Sequence, residues 1–121
     1  MLFQILKSKI HRALVTDANV DYEGSVTLDL DLMEAAGLMT HEMVHIWDVT
    51  TGDRLYTYVM LPAPRGSGTV CINGSAAHRI KKGHIVILTS FVNLTLEEYK
   101  THKAKKVLVD KNNKIVKVKE E

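Results

Sequence analysis

The chain has 121 residues and a mass of 13.6 kDa, which suits one domain built around one core. A net charge of +2 leaves no global nucleic-acid footprint, and a single cysteine, Cys71, excludes an internal disulfide and a cysteine zinc cluster within the chain. The first residues, MLFQILKSKIHR, are interrupted by Lys7 and Lys9 and read as neither a signal peptide nor a membrane span, so a soluble cytoplasmic protein is the expectation.

Extended segments dominate. Leu2 to Val15 reads as a strand with Lys7, Lys9 and His11 on one parity. Asp17-Ala18-Asn19 reads as a turn. Val20 to Tyr22 and Val26 to Leu30 read as strands flanking Gly24-Ser25. The stretch DLMEAAG predicts a short helix, with Asp31 as its N-cap and Gly37 as its stop. EMVHIWDVTTGDRLYTYVM reads as strand, turn and strand, and LPAPRGSG as a loop. TVCIN, HIVILTS, KVLV and KIVKV complete the strand set. TLEEYKTH is a short helix or turn, and the final KVKEE reads as a solvated tail. Many short strands with little helix predict a mainly β fold, a compact barrel or sandwich.

Two apparent motifs fail on physical grounds. HEMVH, from His41 to His45, matches the pattern of a zinc protease. That motif needs a helix, where residues four apart share a face. On the strand read here they stand roughly 13 Å apart at ~3.3 Å per residue, too far for one zinc ion. His41 is therefore expected at the surface, with His45 packed or partly exposed. The glycine-rich RGSGTVCING lacks the Gly-Lys-Ser/Thr of a phosphate loop. The basic run KTHKAKK reads as a solvated face. Two other functions compete with the reading below: a non-catalytic β-barrel nucleic-acid-binding regulator that uses this basic segment, and a metal hydrolase built on His41, Glu42 and His45.

The chemically suggestive junction is Gly24-Ser25, within NVDYEGSVTLDLD. A hairpin here would more usually read Asn-Gly or Asp-Gly. Glycine tolerates the strained backbone that would let the next serine hydroxyl approach the preceding carbonyl. A Gly-Ser pair alone carries little information, because most are turns.

Its company is more specific. KSKIHRALVTDANVDYEGSVTLD, IWDVTTGDRLYTYV and NGSAAH followed by GHIVILTSF together resemble the pyruvoyl-dependent aspartate 1-decarboxylase family, from about Lys7 to Val92 and more weakly into KKVLVDKNNKIV. The resemblance implies a double-psi β-barrel with one or two short helices. It also implies a single domain that cleaves itself after Gly24, giving a β chain of residues 1–24 and an α chain of residues 25–121. Ser25 would become a covalent pyruvoyl group, with no metal and no pyridoxal phosphate. L-Aspartate would lose CO2 through a Schiff base on that group to give β-alanine for pantothenate biosynthesis. The family forms homotetramers with sites at subunit interfaces, and maturation can be slow or helped by another protein.

The resemblance also assigns roles. Gly24 and Ser25 are the cleavage pair, and Tyr58 the proton donor, a phenol that stays protonated at neutral pH. Thr57 binds substrate and assists cleavage. Arg54 offers a planar fork to a substrate carboxylate, and Lys9 a second positive charge. Asn73 and the Gly74-Ser75-Ala76 turn present amide donors, and Tyr22, His11 and Trp47 are wall residues. Ser75 departs from the alanine common in the family, and LPAPRGSG is longer than in part of it. Strict alternation puts Arg54 and Tyr58 on one face of their strand and Thr57 on the other. For all three to line one site the strand would have to twist or bulge.

Overall fold

In the computed structural model, which describes residues 1–121, nine strands and two short helices form two sheets around one core. The strands are β1 (Phe3–Leu14), β2 (Asp17–Asn19), β3 (Val26–Leu28), β4 (Met43–Asp48), β5 (Arg54–Tyr58), β6 (Val70–Asn73), β7 (Ile85–Leu94), β8 (Lys105–Val109) and β9 (Ile115–Glu120). Helix α1 spans Leu30–Ala36 and α2 spans Leu96–Thr101, and Gly74–His78 forms a 3-10 turn. The larger sheet has the order β5-β4-β7-β1-β8-β9, and the smaller one β2-β6-β3. No helix is long and apolar enough to cross a membrane.

Period-two alternation builds the core. Ile10, Val44, Ile46, Leu88 and Val107 of the large sheet meet Val26, Leu28, Val70 and Ile72 of the small one, and Leu32, Met33 and Ala36 of α1 join them. The sheets touch where Val26 bridges Val59 in parallel and the Met60 N–H donates to the Val26 carbonyl at 2.9 Å. This arrangement is consistent with the double-psi β-barrel, although the strand pairing does not run as one closed ring.

Several local expectations are corrected. Asp17–Asn19 is a strand, β2, paired in parallel with β6, whereas residues 20–22 form a turn instead of a strand. The N-cap of α1 is Asp29 and not Asp31: its carboxylate accepts from the Asp31 N–H at 2.8 Å, and Gly37 ends the helix in the left-handed conformation. Asp29 also accepts from the N–H groups of Gly66 (3.0 Å) and Gly68 (2.8 Å), clamping the LPAPRGSG loop to the helix start. Burial acts to raise its pKa, but these three backbone donors outweigh it and hold the carboxyl below its ordinary value. The terminal KVKEE is exposed yet paired: β9 runs to Glu120, and Glu121 exchanges backbone hydrogen bonds with Ala104. TLEEYKTH forms α2, capped by Thr95 and Glu98 in a reciprocal box.

Candidate active site

The Gly24-Ser25 bond lies where the two sheets meet. Ser25 is only 4% exposed, and its Oγ accepts a long hydrogen bond (3.4 Å) from the Tyr58 N–H. Its carbonyl accepts from the Asn73 N–H at 3.0 Å. The strand ends carrying Tyr58 and Asn73 therefore grip the serine from two sides through backbone groups.

Two glycines flank the Gly24 carbonyl, and the constraint is stronger at Gly74 than at Gly24. A Cβ on Gly24 would stand 2.8 Å from the Met60 methyl carbon, so the Met60 side chain covers this Cα closely. Gly74 has φ +68°, and a Cβ there would come within 3.0 Å of the Gly24 carbonyl oxygen. Gly74 thus leaves room for that oxygen at the head of the 3-10 turn. Ser75 is exposed, Ala76 half-buried and Ala77 buried. Tyr22 is half exposed just before the junction, and its carbonyl lies 3.5 Å from the same hypothetical Cβ.

The remaining candidate residues lie elsewhere. Arg54 and Trp47 are cross-strand partners, and the Arg54 guanidinium sits 4.4 Å above the Trp47 ring centroid. Asp48 braces this end of the hairpin: its carboxylate accepts from the Thr50 N–H at 2.9 Å and meets His84 Nδ1 at 2.6 Å. A cleft of about 290 Å3 runs beside Arg54, Trp47 and Ile87. Lys9 is opposite Thr89, which is opposite His45, which in turn is opposite Tyr56. Lys9, His45, Trp47, Arg54 and Tyr58 therefore share the face of the large sheet that points away from the core. His11 follows on the same parity beside a bulge at Arg12, whose φ is +59°. Burial, then the neighbouring Lys9 and Arg12 charges, lowers the His11 pKa, favouring a neutral imidazole.

Strand β5 neither bulges nor slips against β4. Arg54, Tyr56 and Tyr58 are exposed along one side, while Leu55 and Thr57 are half-buried on the other. Arg54 begins the strand and Tyr58 ends it, a separation of roughly 13 Å at ~3.3 Å per residue. The single chain thus brings together Gly24, Ser25, Tyr58, Asn73 and Gly74. Only the Tyr58 N–H reaches Ser25, whereas the Tyr58 side chain shares the outward sheet face with Lys9, Trp47 and Arg54, and His11 follows on the same parity.

HEMVH is not a helical motif. His45 lies in β4, His41 is exposed with φ +75°, and Glu42 is bound by Lys7 Nζ at 2.8 Å. No group of three or more metal-ligating side chains gathers anywhere in the chain.

Sequence reasoning missed Met60, which the order of residues could not place over Gly24. It also missed Thr27 and Cys71, whose polar groups stand beside the Asn73 side chain. Period-two spacing in SVTL and VCIN carried that signal.

A buried serine held by backbone groups beside a glycine carbonyl, in a small mainly β fold, sets the class of protein with which the chain is to be compared. A family model described as aspartate decarboxylase matches residues 1–116. An aspartate 1-decarboxylase of Caldicellulosiruptor saccharolyticus is 54% identical over 98% of this chain and 91% of its own length. One from Acetivibrio thermocellus is 48% identical over 100% of this chain and 95% of its own length, and one from Dehalococcoides mccartyi is 50% identical over 95% and 92%. The chain belongs to the aspartate decarboxylase family.

Proposed function

We propose that the protein decarboxylates L-aspartate to β-alanine and CO2, using a pyruvoyl group made from its own Ser25, and so feeds pantothenate biosynthesis. Family membership supports the reaction. The structural observation that carries the reading is the grip on Ser25 combined with the space Gly74 leaves at the Gly24 carbonyl oxygen. These residues fit the group's formation. The Ser25 hydroxyl adds to the Gly24 carbonyl carbon, the C–N bond breaks, and its nitrogen takes a proton, leaving an ester. Loss of the Ser25 Cα proton expels the Gly24 carboxylate and leaves a dehydroalanine. Water then replaces its nitrogen, which departs as ammonia. The result is a ketone at the start of residues 25–121.

When present, that ketone supplies an electrophile for the substrate amine and a sink for the electrons released with CO2. The Asn73 N–H polarises the Ser25 carbonyl beside it, strengthening that sink. Tyr58, 40% exposed at the strand end, is the proton donor to the former α-carbon. Thr57 and the Gly74-Ser75-Ala76 turn orient substrate. Arg54 and Lys9 neutralise its carboxylate charge, with Trp47, His11 and Tyr22 as walls.

Because Arg54 stands a strand's length from Tyr58, we infer that a second copy supplies it, within a homotetramer. Exposed Tyr56, Met43 and Tyr58 on the same face favour burial there. A cytoplasmic location and a separate protein that assists maturation belong to the same reading. The test is a denaturing mass spectrum of aged protein. It is expected to show two fragments divided after Gly24, the larger bearing a borohydride-reducible carbonyl. An intact chain that never forms β-alanine from aspartate after prolonged warming would overturn the reading.

A further inference from the structure

Behind the Ser25 grip is a small polar network. Asn73 is 4% exposed, and its side-chain amide has one neighbour on its oxygen and one on its nitrogen. Its Oδ1 lies 3.2 Å from Cys71 Sγ, and its Nδ2 donates to Thr27 Oγ1 at 3.1 Å. Thr27 and Cys71 are directly opposed across β3 and β6, and Asn73 follows two residues after Cys71 on the same face. The three polar groups are therefore aligned by strand register, and their other faces are fixed by buried Val26, Val70 and Ile72. A cleft of about 300 Å3 lined by Tyr22, Thr27, Cys71 and Asn73 opens beside them.

We propose that Cys71 and Thr27 are positioning residues that hold the Asn73 side-chain amide in one of its two orientations. An amide can flip by a half-turn at little cost unless its neighbours tell oxygen from nitrogen. A hydroxyl cannot, because it both donates and accepts. A thiol can, being a donor with little acceptor strength, so Cys71 fixes the oxygen on its own side. Thr27 then has only to accept. One Nδ2 hydrogen remains uncommitted, and an N–H is what a substrate carboxylate requires. Burial, and then the Asp17 carboxylate across the sheet, raise the Cys71 pKa, so the S–H persists at neutral pH. This inference rests on the proposed reading of Asn73 as a substrate-side donor.

The experiment compares Cys71→Ala, Cys71→Ser, Thr27→Val and the Cys71→Ala/Thr27→Val double variant in the full-length, matured protein. The Asn73 side-chain amide signal in a nitrogen–proton correlation spectrum is assigned by its loss in Asn73→Ala. It is expected to shift or broaden in Cys71→Ala and Thr27→Val, and in Cys71→Ser as well, because a serine hydroxyl does not tell the amide oxygen from its nitrogen. In the aspartate assay, KM should rise by about 2- to 10-fold in each single variant, the scale of one hydrogen bond, with kcat changing less. The double variant should be no worse than the poorer single one, because both act on one amide. An unmoved amide signal, or a Cys71→Ser variant that behaves like the parent, overturns the proposal. A wild-type protein inactive on aspartate overturns the functional reading instead, and the spectrum still decides the amide orientation.

Discussion

The surroundings of Ser25 and the surface around Arg54 are built in opposite ways. Ser25 is buried and held by main-chain groups: the Tyr58 N–H on its Oγ and the Asn73 N–H on its carbonyl. Arg54 is exposed and held by side-chain contact, with its guanidinium on the Trp47 ring. Backbone groups are set by the fold and hold their geometry rigidly, as the proposed cleavage would need. A guanidinium on a long flexible stem suits reversible capture of a carboxylate. The first region is assembled from the interior of one chain, whereas the second faces outward.

Ser25→Ala should have the largest effect and break the comparison on the buried side. Without the hydroxyl there is no ester and no ketone. The mass spectrum should show one uncut chain, and β-alanine formation should fall to background while the melting temperature stays close to that of the uncut parent. Arg54→Ala tests the exposed side. Losing a charged hydrogen-bond partner for a carboxylate should raise KM about 10- to 100-fold, with cleavage after Gly24 unaffected. Mixing the two variants sharpens the contrast further. If one copy's Arg54 serves another copy's Ser25, co-expressed Ser25→Ala and Arg54→Ala chains should rebuild roughly one site in four by random assembly. If both residues served the same chain's site, mixing would restore nothing above the Arg54→Ala level.

The sequence revealed the second region's residues but not their location. Lys9, His11, Trp47 and Arg54 stand out by residue type and by family resemblance, yet alternation already separated Thr57 from Arg54 and Tyr58. The strand keeps that alternation without a bulge, and Ser25 meets Tyr58 through its N–H and not its side chain. Main-chain contacts of this kind leave no mark on residue identity. The same limit explains β2: Asp17-Ala18-Asn19 carries turn-forming residues, yet pairing with Cys71, Ile72 and Asn73 makes it a strand. The cap of α1 was misplaced by two residues because Asp29 and Asp31 are equivalent locally. Only the distant Gly66 and Gly68 donors single out Asp29. The long, strongly alternating strands β1, β4, β5 and β7 were legible because their burial follows their own sequence.

Gly74→Ala should have an intermediate effect. The substitution places a Cβ 3.0 Å from the Gly24 oxygen on a backbone with φ +68°. Strain of this kind costs about 1–2 kcal/mol and moves the carbonyl that Ser25 must reach. Cleavage should slow markedly in a time course of fragment formation, and the melting temperature should drop by about 3–8 °C. A variant that cleaves at the parental rate would show that the close approach has no part in maturation.

Asp29→Asn should have the smallest effect, confined to stability, and its sign depends on pH. The amide can accept through only one oxygen, so the three backbone donors lose part of their partner. The cost at pH 7 should be about 1 kcal/mol. In the parent chain the Asp29 carboxyl titrates below its ordinary value. Its stabilising contribution is therefore complete above the unfolded value, about 4, and is lost as pH falls through the lower folded value. Melting curves of parent and variant should thus be separated by a few degrees at pH 7 and converge as the pH drops below about 4. A gap that stays constant down to pH 3 would mean that the Gly66 and Gly68 bonds do not depend on the carboxylate charge. Aspartate turnover, measured at neutral pH and moderate temperature, should not distinguish the two proteins, because the clamp holds the LPAPRGSG loop and not the grip on Ser25.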